Sequence, residues 1–94
     1  MSDPGAARAT LEIVNRLGLH MRAARLFVRI AESFDAEVSV AQDGQVVNGR
    51  SIMGVMMLAA EQGSAIEVSA TGRQAEEAVA ALRALVAARF NEPD

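Results

Sequence analysis

Ninety-four residues, 51% of them hydrophobic, suffice for one domain around one core and are too few for separate cofactor and substrate domains. Nine basic against twelve acidic residues leave a net charge of −3, without the cationic excess of a phosphate-backbone binder, and three phenylalanines are too few for base stacking, so no nucleic-acid partner is expected. With no cysteine and a single histidine, disulfides, thiol chemistry and multi-histidine metal sites drop out, and neither a metal nor a cofactor is expected.

Residues 1–9 read as a flexible lead, since Asp3, Pro4, Gly5 and Arg8 interrupt what a secretory signal would need as a continuous apolar stretch. Residues 10–90 read as the domain and 91–94 as a tail. The longest apolar run, Ile52 to Ala60, spans nine residues against the ~20 of a bilayer crossing. No membrane insertion is expected, and the chain reads as cytoplasmic.

In Leu11 to Val14, Leu11 and Ile13 share one strand face and Glu12 the other. Asn15 to Leu19 connect to a helix from His20 to about Phe34, with Ala24, Phe27, Val28, Ala31 and Phe34 on its packed face and Arg22, Arg25, Arg29 and Glu32 opposite. Glu37 to Ala41 alternates with Val38 and Val40 inward. Asp43-Gly44 is a tight-hairpin signal leading into Val46 and Val47.

Ser51 is placed to cap a second helix on which Ile52, Val55, Met56 and Ala59 recur at helical spacing, closed by Gly63. Ile66 to Ala70 alternates as a fourth strand. Beyond Thr71-Gly72, a last helix carries Ala75, Ala78, Val79, Leu82, Leu85 and Val86 as an apolar stripe ending near Phe90. The expected fold is α+β, a four-stranded antiparallel sheet with three helices on one face in βαββαβα order.

Two segments bear chemistry. Gly18-Leu19-His20-Met21-Arg22 sets an imidazole at a helix start, where unpaired N–H groups and the positive dipole end favour a phosphate, with an arginine two residues on to contact the same group. A neutral imidazole is a nucleophile, and one histidine suffices to carry a phosphoryl group. On spacing alone His20 could equally be a cap or a surface residue, and Arg25 and Arg29 a solvated face. In Asn48 to Met56, Ser51 is an N-cap whose phosphorylation would add a charge of about −2 where the helix tolerates it. Met53, Met56 and Met57 cannot all be buried on one short helix, so an exposed soft apolar patch is expected.

The segments Gly18-Leu19-His20-x-Arg22 and Val47-Asn48-x-Arg50-Ser51-Ile52-Met53-Gly54-Val55-Met56 together resemble the two signature regions of the HPr family, the histidine phosphocarriers of the phosphoenolpyruvate-dependent phosphotransferase system. The resemblance runs from about Thr10 to Phe90. It implies a carrier rather than an enzyme, in which Nδ1 of His20 accepts a phosphoryl group from phosphorylated Enzyme I and passes it to an Enzyme II A-type domain. Arg22 then attends the phosphohistidine, and Ser51 is the target of an HPr kinase/phosphorylase. Ile52, Met53 and Met56, with Arg25 and Arg29, form the docking surface of a monomer.

The family's usual His-Ala-Arg-Pro-Ala is here His20-Met21-Arg22-Ala23-Ala24, and Arg50 replaces a frequent lysine. Ala23 restores an N–H that proline would remove from the first turn, and Met21 adds bulk beside the site. Two other readings stand: a regulatory paralogue that takes phosphate without feeding sugar import, and a small-molecule-sensing α+β regulatory domain.

Overall fold

A computed structural model describes residues 5–93. Its elements are β1 (Ala6–Glu12), α1 (Met21–Glu32), β2 (Glu37–Gln42), β3 (Gln45–Asn48), α2 (Ile52–Met57), β4 (Ala65–Thr71) and α3 (Ala75–Ala87), followed by a short turn, Arg89–Asn91. The sheet order is β1-β4-β2-β3 with every pairing antiparallel, and the three helices make this the expected α+β fold.

Register explains the open face. Leu11 lies opposite Ile66, and Val40 opposite Val68, so Ala9, Leu11, Val38, Val40, Ile66, Val68 and Ala70 share the buried side. Thr10, Glu12, Glu37 and Ser39 alternate to the exposed side. The six α3 residues of the expected stripe are all buried, and Phe27, Ile13, Leu82 and Phe90 are fully enclosed. Asp43 and Gly44 both take left-handed backbone, φ 50° and 84°, as the two-residue hairpin turn between β2 and β3 requires. Among the described residues no helix is long and apolar enough to cross a membrane.

Several expected boundaries are corrected. The first strand begins at Ala6 rather than Leu11, so residues 6–9 belong to the sheet and not to a lead; Gly5 forms the turn before it, and residues 1–4 lie outside the described residues. Ala6, Ala7 and Ala9 carry too little side chain for their alternation to stand out, although Ala7 packs on the core. The first helix runs from Met21 to Glu32 with His20 as its N-cap position, leaving Phe34 beyond it and half-buried. The second ends at Met57, well before Gly63, because Ala59 turns left-handed at φ 51°. Ala59 is therefore exposed, and Val55 is the buried residue of that helix. Within the expected tail, residues 91–94, the Asn91 and Glu92 N–H groups donate to the Ala88 and Arg89 carbonyls, and Asp94 lies outside the described residues.

The connector after β1 is held tightly. Gly18 sits at φ +67°, its N–H donates to the Asn15 carbonyl at 3.2 Å, and the next N–H, of Leu19, donates to the Ala60 carbonyl at 2.9 Å. A Cβ on Gly18 would lie 2.4 Å from that same carbonyl oxygen. Gly18→Ala thus combines left-handed strain with a backbone clash and is expected to cost about 3 kcal/mol in denaturant unfolding. A loss much below 1 kcal/mol would show instead that the connector yields readily.

Candidate functional site

His20 takes extended backbone, φ −76° and ψ 178°, and its carbonyl accepts the first helical bond of α1 from the Ala24 N–H at 2.8 Å. Its side chain makes no capping bond, so the ring is not a helix cap. The N–H groups of Met21, Arg22 and Ala23, in the first turn of α1, have no intrahelical acceptor. The ring is half-buried, less open than an exposed helix start would leave it, because the chain's other end reaches it.

That reach is made by the turn after α3. Arg89, Phe90 and Asn91 all have positive φ, 59°, 54° and 61°, so the chain coils left-handedly and reverses. Phe90 is fully buried and anchors the turn, while its carbonyl accepts from Arg22 Nη1 at 3.1 Å. Glu92 then lies against His20, its Oε2 bonded to His20 Nε2 and 3.9 Å from Arg22 Nη1. Its Oε1 accepts from Asn15 Nδ2 at 3.1 Å, and the same Nδ2 donates to the Gly18 carbonyl at 2.9 Å.

Electrostatics agree with this geometry. Burial by itself raises the Glu92 carboxyl, but the hydrogen bonds from His20 and Asn15 and the charges of His20 and Arg22 outweigh it, holding it below the ordinary 4.5. An ionised carboxylate only accepts, so in the neutral ring Nε2 carries the proton and Nδ1 keeps the lone pair. The arrangement offers a nucleophilic nitrogen beside an exposed guanidinium and a helix N-terminus. Among the described residues no group of three or more acidic or histidine side chains could hold a metal ion.

The remaining expected residues fall into two sets. Ser51 caps α2, its Oγ accepting from the Gly54 N–H at 3.0 Å. Ile52, Met53, Met56 and Met57 line one apolar depression together with Met21, so the patch joins the residue after His20 to the second helix. Met56 is half-buried and Met53 is 73% exposed. Arg25 and Arg29 lie exposed on α1, sharing a surface with Arg22 and Leu26.

Asn15 and Glu92 were not legible as site residues. Asn15 reads as one more polar connector residue, and Glu92 follows the last apolar position of the stripe. Only the left-handed turn brings them together, and nothing local in Arg89-Phe90-Asn91 announces it.

Comparison with known proteins adds an independent line. The family model described as the PTS HPr component phosphorylation site matches residues 7–88, ending before Glu92. The phosphocarrier protein HPr of Neisseria meningitidis serogroup B is 45% identical over 85 residues, covering 90% of this chain and 96% of its own length. The phosphocarrier protein NPr of Escherichia coli K12 is 42% identical over 86 residues, again 90% and 96%. The HPr structure of Thermoanaerobacter tengcongensis superposes with a TM-score of 0.90 at 42% identity, covering 94% of this chain and 99% of that one.

A carboxyl held below its unfolded value contributes stability that is complete above that value and is lost as pH falls through the lower folded one. Below pH 4.5 the wild-type chain should therefore lose stability more steeply than Glu92→Gln, which has no such group to protonate. Denaturant midpoints from about pH 6 down to about pH 3 read the difference. Parallel curves for the two proteins would mean that Glu92 gains nothing from its partners.

Proposed function

This chain belongs to the HPr family of phosphotransferase-system phosphocarriers, and we propose that it accepts a phosphoryl group on Nδ1 of His20 from phosphorylated Enzyme I and passes it to an Enzyme II A-type domain. The observation that carries this reading is the bond between His20 Nε2 and Glu92, which leaves Nδ1 as the nitrogen with a free lone pair. Arg22, with its side chain 56% exposed, would exchange its contact with the Phe90 carbonyl for an incoming phosphoryl oxygen. The first-turn N–H groups of the exposed residues Met21 and Arg22 would share that oxygen charge.

Docking is assigned to the apolar depression of Met21, Ile52, Met53, Met56 and Met57, whose flexible thioethers suit more than one partner. Arg25 and Arg29 supply a positive border for acidic partner surfaces. Met21 thereby gains a role at the edge of this face. The reading places the carrier in the cytoplasm, where Enzyme I would meet it.

Ser51 is the proposed site of regulatory phosphorylation by an HPr kinase/phosphorylase. A phosphoryl group there would be stabilised at the start of α2 while setting a dianion at the margin of an apolar surface that a partner must desolvate. A second reading is a paralogue that takes phosphate without feeding sugar import. What favours it is the near-equal identity to a relative named NPr, 42% against 45% for HPr. Transfer from the loaded chain to sugar-branch and nitrogen-branch Enzyme II A domains, compared side by side, separates the two.

With labelled phosphoenolpyruvate and Enzyme I, the wild type should take one acid-labile phosphoryl group and His20→Ala none, with its circular dichroism unchanged. A labelled Ala variant would remove His20 as the acceptor. Arg22→Ala should load about tenfold more slowly without losing the reaction, a cost of about 1.4 kcal/mol in the transition state, because backbone N–H groups share the charge. Enzyme I-dependent loading should fall on kinase treatment, and in part in Ser51→Asp, which carries one charge in a different geometry. Equal rates in all three forms would leave Ser51 as a helix cap alone.

A further inference from the structure

Among the described residues Asn15 is the buried polar side chain, fully enclosed. Its Nδ2 makes two hydrogen bonds while its Oδ1 has no partner. Turning the amide over would aim Oδ1 at a carbonyl and a carboxylate and withdraw the one donor they share, so both acceptors fix the orientation. The side chain is retained as a donor at the expense of its own oxygen. Half-satisfied buried polar groups are uncommon and call for a reason.

The reason lies at the other end of the contact. Glu92 reaches the ring through three successive left-handed residues, none of them glycine. Such residues persist only where surrounding contacts over-determine them. Here those contacts are Phe90 in the core, the Phe90 carbonyl on Arg22, and the Glu92 carboxylate held between Asn15 and His20. Two unfavourable local arrangements thus converge on one carboxylate, Asn15 at Oε1 and the ring at Oε2.

We propose that Glu92 and Asn15 are positioning residues for phosphoryl transfer at His20: the carboxylate holds the Nε2 proton, and Asn15 holds the carboxylate. This rests on His20 being the phosphoryl acceptor. In the step, the Nδ1 lone pair forms the N–P bond as the bond from phosphorus to the donor atom of Enzyme I breaks, and that electron pair stays on the donor. Nε2 keeps its proton throughout, and the positive charge that develops on the ring is met by Glu92 across the hydrogen bond. Orientation and charge stabilisation come from the same contact, on the ring edge opposite the incoming phosphorus.

The test follows ring 15N resonances and loading rates in the full-length chain. The wild type should show the tautomer protonated at Nε2. Glu92→Ala should give mixed tautomers and load at least about tenfold more slowly at an unchanged KM for Enzyme I. Glu92→Gln, which keeps an acceptor without the charge, should hold the tautomer and recover part of the rate, and Asn15→Ala should fall between. If Asn15→Ala does not fold, the two Glu92 variants carry the test by themselves. Glu92→Ala with the wild-type tautomer and a rate within about twofold of wild type would overturn the proposal. Loading that persists in His20→Ala would instead overturn the acceptor assignment, and the ring spectra would still show whether Glu92 sets the tautomer.

Discussion

An ionised carboxylate has no proton to give, and because Glu92 faces Nε2 of His20 the neutral ring has one tautomer open to it there. The ring's tautomer and its link to Asn15 depend on Glu92 arriving at that place. It does so through left-handed backbone at about 1 kcal/mol or more per residue, which burial of the Phe90 side chain, about 2–3 kcal/mol, and the bonds to Arg22 and Asn15 offset. The core and the site are therefore connected by one side chain. Phe90 packs because α3 ends where it does, and Glu92 follows two residues later.

The same economy holds at the other side of the ring. Gly18 can approach the Ala60 carbonyl because it lacks a Cβ, and that approach ties the segment after α2 to the segment before α1. The segment of His20 and the segment that follows α2 are thus linked through backbone, and one apolar depression spans Met21 and α2. Ser51 belongs to the same assembly. Its Oγ already accepts the Gly54 N–H, so a phosphoryl group added there would meet a helix terminus suited to negative charge.

How much of this was legible depends on how local each signal is. The α3 stripe, the Asp43-Gly44 turn and the Ser51 cap are each decided within a few residues, and each is where the sequence puts it. His20 and Arg22 were legible as neighbours by their spacing at one helix start, and they meet at Glu92. The start of β1 was missed because alanines alternate without contrast. Gly63 is the residue a sequence offers as the end of α2, whereas the residue that ends it, left-handed Ala59, is of a type that rarely does so. Asn15 and Glu92 stand 77 positions apart in the chain, and no periodicity connects them.

A phosphoryl carrier has a requirement that an enzyme holding its substrate lacks: the group must be as easy to give up as to receive. A fully enclosed site with several cations would bind the phosphorylated state tightly and slow the second transfer. Here Arg22 is largely exposed, with Nη1 on a backbone carbonyl and a carboxylate 3.9 Å away, so a phosphate would meet a guanidinium already partly engaged and open to water. The helix N-terminus contributes neutral N–H donors rather than another full charge. Firm contacts are concentrated on the far edge of the ring, at Nε2, where they hold the imidazole without holding the phosphate. If His20 is the acceptor, that separation would let the ring be rigid while its cargo stays loosely bound, with nucleophilicity set by a carboxylate that the transferred group never has to touch.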